Sequence, residues 1–324
     1  MTRAFWAWAR PLGGVGILTF LLWRLGTGPF LNGLRLVDGW ALAAALGIGG
    51  LTTVCCAWRW SLVAGGLGVR LPLRVAVAHC YLSVFLNATL PGGVLGDVHR
   101  AVHHGREAGD VGRGIRAVVW ERTAGQVVLS GMAVTVLFAF PSPVRSYMPA
   151  VTAVAVAGGL GAVLLARALP HSGLLARLPS RSGLSRWAQA LRTAKADIGD
   201  GLLARRNWPR IAFASAVVVS GHLATFLIAA RTAGSTAPLS RLIPLTLLAL
   251  LAMLLPANVG GFGPREGVAA WAFGAAGLTA AQGVATAVVY GALVLVSSLP
   301  GAAVLVARRI RAPATVPQEG AVSG

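Results

Sequence analysis

Six charged residues stand inside apolar stretches of the chain. They are Asp97, Arg100, Glu121, Arg122, Arg265 and Glu266. An ionisable side chain at membrane depth is costly and faces a cavity or a partner. The planar guanidinium group of arginine matches the oxygens of a phosphate. These residue types therefore indicate a polar chamber that holds the phosphate headgroup of a lipid. The alternative is a buried ion-pair network that fixes the helix register and touches no substrate.

The spacing of these residues predicts how they neutralise one another. Asp97 and Arg100 are three positions apart, so one helical turn places them on the same face. The pairs at 121–122 and 265–266 are adjacent, and neighbours in a helix point about 100° apart. Neither adjacent pair is therefore expected to neutralise itself. The expected partners between helices are Glu121 with Arg100 or Arg265, and Asp97 with Arg122.

Proline and glycine interrupt two of the apolar stretches, beside these charges. The interruptions are at 90–93 and 255–261. Free N–H groups at such breaks can donate to an anion. The expected substrate-binding residues are Asn87, Pro91, Gly92, Gly93, Asp97, Arg100, Glu121, Arg122, Asn258, Gly260, Gly261, Arg265 and Glu266.

The composition indicates a membrane protein. Of the 324 residues, 56% are hydrophobic and only 11% are charged, against roughly 25% charged in soluble domains. The net charge is +19, but the basic residues occupy short gaps between apolar runs and form no single patch. This distribution is typical of loops that face anionic lipid headgroups. We expect such lipids as partners and no nucleic acid.

Apolar runs mark the segments that could cross a bilayer. They lie near 8–25, 37–57, 75–91, 117–140, 150–169, 210–230, 242–256, 266–277 and 283–306. If every run crossed, the arginine-rich loops at 100–116 and 167–210 would lie outside, against the positive-inside rule. The conflict disappears if 75–100 and 242–277 are broken hairpins that enter and leave on one face.

The sequence thus predicts an all-α, polytopic transmembrane helix bundle. It has about six full spans plus two broken re-entrant hairpins of opposite orientation, with cytoplasmic N- and C-termini. Two such hairpins are typical of transporters built from inverted repeats. The alternative is eight or nine ordinary helices that use glycine for close packing.

A single transmembrane domain is expected over residues 1–311. Its hydrophilic stretch 170–209 predicts a basic cytoplasmic loop with an amphipathic helix lying on anionic lipid. Residues 312–324 predict a disordered tail. No stretch is expected to form a soluble catalytic domain, so no enzymatic activity is expected. The strong excess of Arg over Lys is typical of GC-rich bacterial genes and favours a bacterial inner membrane.

Histidine and cysteine predict no metal site and no cofactor. The three cysteines lie within apolar runs and are expected to pack as small hydrophobic residues. His99, His103 and His104 lie near a predicted interface, without an acidic cluster to complete a metal site. The isolated His79 and His222 could relay protons, but a hydrogen bond to a neighbouring helix is the more common role.

Three motifs resemble, in order, those of a known family. Residues 85–100 (FLNATLPGGVLGDVHR) are similar to the F-x-N-x-x-L-P-G-x-x-G-G-D-x-x-R signature of the lysylphosphatidylglycerol synthase transmembrane region, also called the flippase-like domain. Leu95 stands where one of the paired glycines is usual. Residues 120–125 (WERTAG) resemble the E-R-x-x-G helix, and 255–266 (LPANVGGFGPRE) resemble the late L-P-x-x-x-G-G-x-G-x-R-E element. The resemblance covers most of residues 5–310.

The resemblance implies lipid handling. In full-length synthases this domain resembles a flippase for aminoacylated phosphatidylglycerol and is followed by a soluble aminoacyl-transferase domain. Here we expect the lipid-handling half alone: a flippase-like transporter that translocates a phospholipid or a polyprenyl-phosphate-type lipid. One alternative is a membrane accessory protein that recruits an enzyme of envelope or glycolipid synthesis through 170–209. Another is an integral-membrane lipid transferase.

Overall fold

The computed structural model describes most of the predicted bundle. It covers residues 37–90, 92–168, 196–202, 206–255 and 262–311, together with a few isolated positions. Three predictions lie largely or wholly outside these residues: the first span at 8–25, the basic loop at 170–209 and the tail at 312–324. The accessory-protein alternative depends on that loop.

Every regular element in the described ranges is helical. The α-helices are α1 (Gly39–Gly66), α2 (Leu73–Thr89), α3 (Leu95–Glu107), α4 (Val111–Ala139), α5 (Met148–Ala168), α6 (Trp208–Thr232), α7 (Leu239–Ala252), α8 (Pro264–Ala275) and α9 (Ala280–Arg311). A 3-10 turn, Arg145–Tyr147, precedes α5, and a π-helical segment, Asp197–Leu202, precedes α6.

Long apolar helices form the membrane-crossing part of the bundle. Among the described residues, 4 helices are long and apolar enough to cross a membrane, namely α1, α4, α6 and α9. The hydrocarbon core is about 30 Å thick and needs about 20 helical residues. Helix α5, with 21 residues, also has the necessary length. The predicted all-α, polytopic membrane fold is confirmed.

Two pairs of short helices interrupt this pattern. Helices α2 and α3 have 17 and 13 residues, and α7 and α8 have 14 and 12. At about 1.5 Å per residue, each measures roughly 18–25 Å and falls short of the hydrocarbon core. We call α2 with α3 hairpin I, and α7 with α8 hairpin II. They correspond to the two predicted broken hairpins.

The arms of hairpin I run antiparallel and contact each other side by side. Ser83 and Cys80 of α2 bond to Asp97 and Arg100 of α3, respectively. Moving toward the start of α2 therefore means moving toward the end of α3. In hairpin II, Leu242 and Leu245 of α7 share an apolar cluster with Ala272 and Phe273 of α8.

Helix α9 packs against both hairpins at different levels. Near its start, Gly283 lies against the backbone of Ala269 in hairpin II. Near its end, Gly301 lies against the backbone of Tyr81 in hairpin I. The two hairpins therefore pack against opposite halves of this long helix. This arrangement is the one expected for hairpins of opposite orientation.

Glycine makes the turn of hairpin I possible. Gly92 and Gly93 have φ angles of 91° and 60°, in the left-handed region that side chains other than glycine rarely adopt. Gly96, in the first turn of α3, lies so close to the backbone of Ser83 that a Cβ atom would overlap it. Gly92 and Gly93 thus allow the backbone conformation of the turn, and Gly96 allows the two arms to pack closely.

We predict that Gly96→Ala destabilises the protein. The added methyl group must push α3 away from Ser83, and overpacking of this kind costs about 1–3 kcal/mol. Thermal unfolding of the purified protein in detergent measures the effect. Gly131→Ala is the control, because a Cβ atom there meets nothing within 4 Å. Equal unfolding temperatures for the two variants would contradict the close approach of the arms.

Candidate functional site

A network of five charged side chains connects three helices in the centre of the bundle. We call it the Asp97 network. Its members are Arg59 from α1, Asp97 and Arg100 from α3, and Glu121 and Arg122 from α4. Ion pairs join all five into a continuous set. Hairpin I is thereby tied to two of the membrane-crossing helices.

Glu121 holds the buried end of the network. It is 0% exposed, and its two carboxylate oxygens are divided between two arginines. Oε1 accepts a hydrogen bond from Arg59 Nε at 2.9 Å and a second from Arg59 Nη2. Oε2 accepts from Arg100 Nη2 at 2.5 Å. A buried carboxylate needs such partners, since an unpaired charge in a low-dielectric interior is very costly.

Asp97 holds the end of the network beside the turn of hairpin I. Its carboxylate accepts hydrogen bonds from Ser83 Oγ, Asn87 Nδ2 and Arg100 Nε, each at 3.0 Å. Arg122 Nη2 donates a fourth at 2.5 Å. Asp97 lies in the first turn of α3, where the helix dipole favours a negative charge. The predicted pairs Glu121 with Arg100 and Asp97 with Arg122 are both present.

Arg59 belongs to the network although it lies beyond the predicted apolar run 37–57, which places it in the loop that follows. That placement was wrong because α1 continues to Gly66, well beyond the apolar run that seemed to end at residue 57. The Arg59 side chain is buried, and its Nη1 donates to Ser215 Oγ of α6 at 2.9 Å. The apolar residues that follow Arg59 in the sequence could have signalled its position.

Two cysteines also contact the network. Cys56 Sγ lies 3.4 Å from Glu121 Oε1, and Arg100 Nη1 lies 3.6 Å from Cys80 Sγ. The guanidinium of Arg100 also stacks on Trp60, 4.8 Å from the ring centroid. These two cysteines therefore do more than fill apolar space. Cys56 contacts Glu121, and Cys80 and the Trp60 ring both contact Arg100.

Arg122 is the accessible end of the network. Its side chain is 45% exposed, whereas those of Arg59 and Arg100 are 5% and 1% exposed. Arg122 lies about 16 Å along α4 from Val111, well inside a helix of 29 residues. A partly exposed guanidinium at that depth needs water or an anion, because hydrocarbon would not solvate it.

The network carries one more positive than negative charge. Three guanidinium groups face two carboxylates within it. Arginine stays protonated in proteins and cannot remove the imbalance by losing a proton. The surplus charge, together with the exposure of Arg122, makes this end of the network suited to an anionic group.

Arg265 and Glu266 form a second charged group, in the first turn of α8. Both are buried, and Arg265 Nε donates to Glu266 Oε1 at 2.9 Å. The expectation that this adjacent pair would not neutralise itself was wrong. Glu266 Oε2 accepts from the Gly263 N–H at 2.6 Å, so the carboxylate bends back over the helix start. Arg265 reaches it there because a helix terminus restricts side chains less than the interior of a helix.

Tyr290 of α9 contacts the second charged group. Its ring faces Arg265, with 4.9 Å between the guanidinium carbon and the ring centroid, and its hydroxyl is 2.9 Å from His222 Nδ1 of α6. In the part of the chain that the structure describes, no ion pair joins Arg265 or Glu266 to the Asp97 network. His222 makes the interhelical hydrogen bond expected of an isolated membrane histidine.

The remaining predicted site residues lie at the two breaks. Asn87 Oδ1 accepts from the Gly96 N–H at 2.8 Å, so Asn87 caps α3 from the neighbouring arm. Gly92 and Gly93 form the turn described above. Pro91, Asn258, Gly260 and Gly261 lie outside the residues that the structure describes.

The segment before α6 packs against α4. Asp197 Oδ2 accepts from Arg116 Nε at 2.8 Å and from Trp120 Nε1 at 3.1 Å. Arg116 was expected to lie in a loop with other basic residues. It lies instead in the first third of α4, where it holds the Asp197–Leu202 segment against that helix.

A histidine cluster differs from the sequence prediction. No acidic companion was expected near His103, but the structure brings His79 and Glu107 to it, with ligand atoms within 4.8 Å of one another. The prediction missed this group because His79 comes from the other arm of hairpin I. Glu107 was overlooked although it is four residues from His103, one helical turn away.

Comparison with known proteins agrees with the motifs and the helical fold. The sequence matches the family described as Lysylphosphatidylglycerol synthase TM region over residues 8–301. The chain belongs to this family. Neither the curated proteins nor the solved structures contain a match. The range matched to the Lysylphosphatidylglycerol synthase TM region family includes both hairpins and every member of the Asp97 network.

We predict that Glu121→Gln destabilises the fold by about 3–5 kcal/mol, because it leaves two buried arginines without their shared carboxylate. The measurement is the free energy of unfolding in detergent. Arg113→Gln is the control. It removes an ion pair whose side chains are 41% and 43% exposed, and such exposed pairs contribute only about 0–1 kcal/mol.

Adding Arg59→Gln to Glu121→Gln should recover part of the loss, since it removes one of the unpaired charges. The two changes are therefore expected to be non-additive, as is usual for residues in one network. Strict additivity, or a loss no larger than that of Arg113→Gln, would show that Glu121 does not hold the network together.

Proposed function

We propose that this membrane protein translocates a lipid with an anionic phosphate headgroup through the Asp97 network. The observation that carries the proposal is the position of Arg122, partly exposed at membrane depth in a network with surplus positive charge. An anionic headgroup supplies the missing negative charge. Membership of the Lysylphosphatidylglycerol synthase TM region family supports a role in a lipid-related process.

Arg122 is the residue that we expect to contact the phosphate. Its Nη2 bonds to Asp97, and the remaining N–H groups of the fork are available for phosphate oxygens. Asp97 keeps the guanidinium in place when no lipid is bound. A phosphate approaching Arg122 competes with Asp97 for it, which allows the headgroup to bind and to leave again.

The short arms of hairpin I support the passage of a headgroup. Because α2 and α3 do not reach across the hydrocarbon core, their turn lies at a depth where irregular backbone needs protein or water around it. The same turn positions Asp97 beside Arg122. In the proposed mechanism the headgroup crosses along this polar region while the acyl chains stay in the bilayer.

The carboxylates have a binding role and no chemical step in this proposal. Glu121 is fully engaged by Arg59 and Arg100, and Asp97 accepts four hydrogen bonds. Neither is positioned as a free general base. The proposed activity is therefore transport, and the lipid is a phospholipid or a polyprenyl-phosphate-type lipid.

The proposed location is a bacterial inner membrane, with the arginine-rich ends of the helices in the cytoplasm. The loop between α1 and α2 carries Arg70, and α3 ends beside Arg106. Hairpin I then opens to the cytoplasm, and hairpin II opens to the other side. The positive-inside rule supports this orientation.

We predict that Arg122→Gln slows lipid translocation at least about tenfold. A hydrogen bond to a charged group contributes roughly 1.5–3 kcal/mol, and about 1.4 kcal/mol corresponds to a factor of ten. The measurement is the movement of fluorescent phosphatidylglycerol between leaflets of proteoliposomes. Arg122→Lys should retain part of the activity, since it keeps the charge but loses the fork.

Arg145→Gln is the matched control, because Arg145 is exposed in the turn before α5. It should translocate lipid at the wild-type rate. Fluorescent phosphatidylcholine, which is zwitterionic, should move more slowly than phosphatidylglycerol. A wild-type protein that moves no anionic phospholipid or polyprenyl phosphate above the rate of empty vesicles would refute the proposed transport.

A further inference from the structure

A stripe of polar side chains lies on one face of α3, away from the Asp97 network. It consists of His99, His103 and Glu107, each four residues after the last. Residues at this spacing are neighbours on a helix surface. His103 Nδ1 and Glu107 Oε1 are 3.2 Å apart, and the rings of His99 and His103 have centroids 5.8 Å apart.

A fourth residue reaches this stripe from the other arm of hairpin I. His79 of α2 is buried, and its ring centroid lies 4.9 Å from that of His103. His79 also packs against Trp60, with 6.2 Å between the ring centroids. One imidazole is therefore fixed in the protein interior. The side chains of His103 and Glu107 are 37% and 52% exposed and can rotate toward it.

We propose that His79, His103 and Glu107 bind a divalent transition-metal ion of the zinc type. One ligand atom from each of the three lies within 4.8 Å of the other two. Tetrahedral zinc, with metal–nitrogen bonds of about 2.0–2.1 Å, needs its ligand atoms about 3.3 Å apart. Rotation of the two exposed side chains closes that gap.

The ligand set determines which ions fit. Two imidazoles and one carboxylate suit zinc and its neighbours in the first transition row, whereas calcium and magnesium prefer oxygen ligands alone. A fourth position remains for water or for His99. A pocket of about 440 Å³ lies beside the two partly exposed ligands and is lined by His99, His103, Arg106 and Glu107, among others. The ion can therefore reach its ligands from outside.

The position of the site gives the ion a structural effect. His79 belongs to α2 and the other two ligands to α3, and all three lie away from the turn. A bound ion would clamp the two arms together at the open base of hairpin I. The Asp97 network joins the same arms from the turn as far as Arg100 and Cys80, so the ion would extend this connection toward the open base of the hairpin.

The test is zinc titration of the full chain, purified in detergent with a tag that contains no histidine. Calorimetry should give one ion per chain, and added Zn²⁺ should raise the thermal unfolding temperature, because an ion that binds only the folded state stabilises it. His103→Ala combined with Glu107→Ala should weaken binding at least tenfold and abolish the rise. The side chains of His103 and Glu107 are 37% and 52% exposed and neither belongs to the Asp97 network, so the fold should persist.

Arg106→Ala is the control in the same pocket. It removes a neighbour that is not a ligand, and zinc affinity should stay equal or increase because a repelling charge is lost. The visible spectrum of the Co²⁺-loaded wild-type protein adds a measurement that needs no variant. It should show tetrahedral coordination without thiolate charge transfer. Absence of zinc binding, thiolate coordination, or equal affinity in the double variant would overturn the proposal.

Discussion

The burial of Glu121 between Arg59 and Arg100 is the constraint on which the rest of the structure depends. A carboxylate without solvent is tolerable only with charged partners in good geometry, and removing either partner leaves an orphan charge. These partners lie on α1 and α3, so the pairing fixes the register of both helices against α4. The same pairing explains why hairpin I packs where it does. Because Arg100 pairs with Glu121, and Asp97 lies one helical turn before Arg100, the first turn of α3 places Asp97 beside Arg122.

Two short hairpins place this network at the site of the proposed lipid translocation. An uninterrupted helix satisfies the hydrogen bonds of its backbone internally. The break between α2 and α3 instead introduces a helix start, with free N–H groups, at membrane depth. Asn87 satisfies one N–H group there, and Asp97 benefits from the helix dipole. Hairpin II repeats the pattern with different chemistry. Its first charged residues neutralise each other, and Arg265 faces the ring of Tyr290, whose hydroxyl bonds to His222 of α6. The surplus positive charge is thus confined to the side of hairpin I.

The sequence was sufficient to predict the helical membrane fold, both breaks and two interhelical ion pairs, because each has a local signal. Positive charge in the loops and Pro-Gly clusters identify the hairpins, and complementary charges identify Asp97 with Arg122. It was not sufficient for Arg59, because hydropathy ends a span at the first arginine even when the helix continues. It also failed for Arg265 with Glu266, where a backbone N–H draws the carboxylate away from its usual direction. The meeting of His79 with His103 depends on the pairing of two arms, which no local pattern reports.

The most direct test of the central claim is whether water reaches Arg122. Two variants are made in a chain whose three native cysteines are replaced by alanine: Arg122→Cys and Val127→Cys, each with a single thiol on α4. In the protein alone these positions are 45% and 65% exposed. Reaction with a charged, membrane-impermeant thiol reagent in proteoliposomes requires water, because the thiolate is the reactive form. If Arg122 lines a wet polar region and Val127 faces lipid, the first thiol reacts and the second does not. Two unreactive thiols, or two equally reactive ones, would contradict a headgroup passage at Arg122.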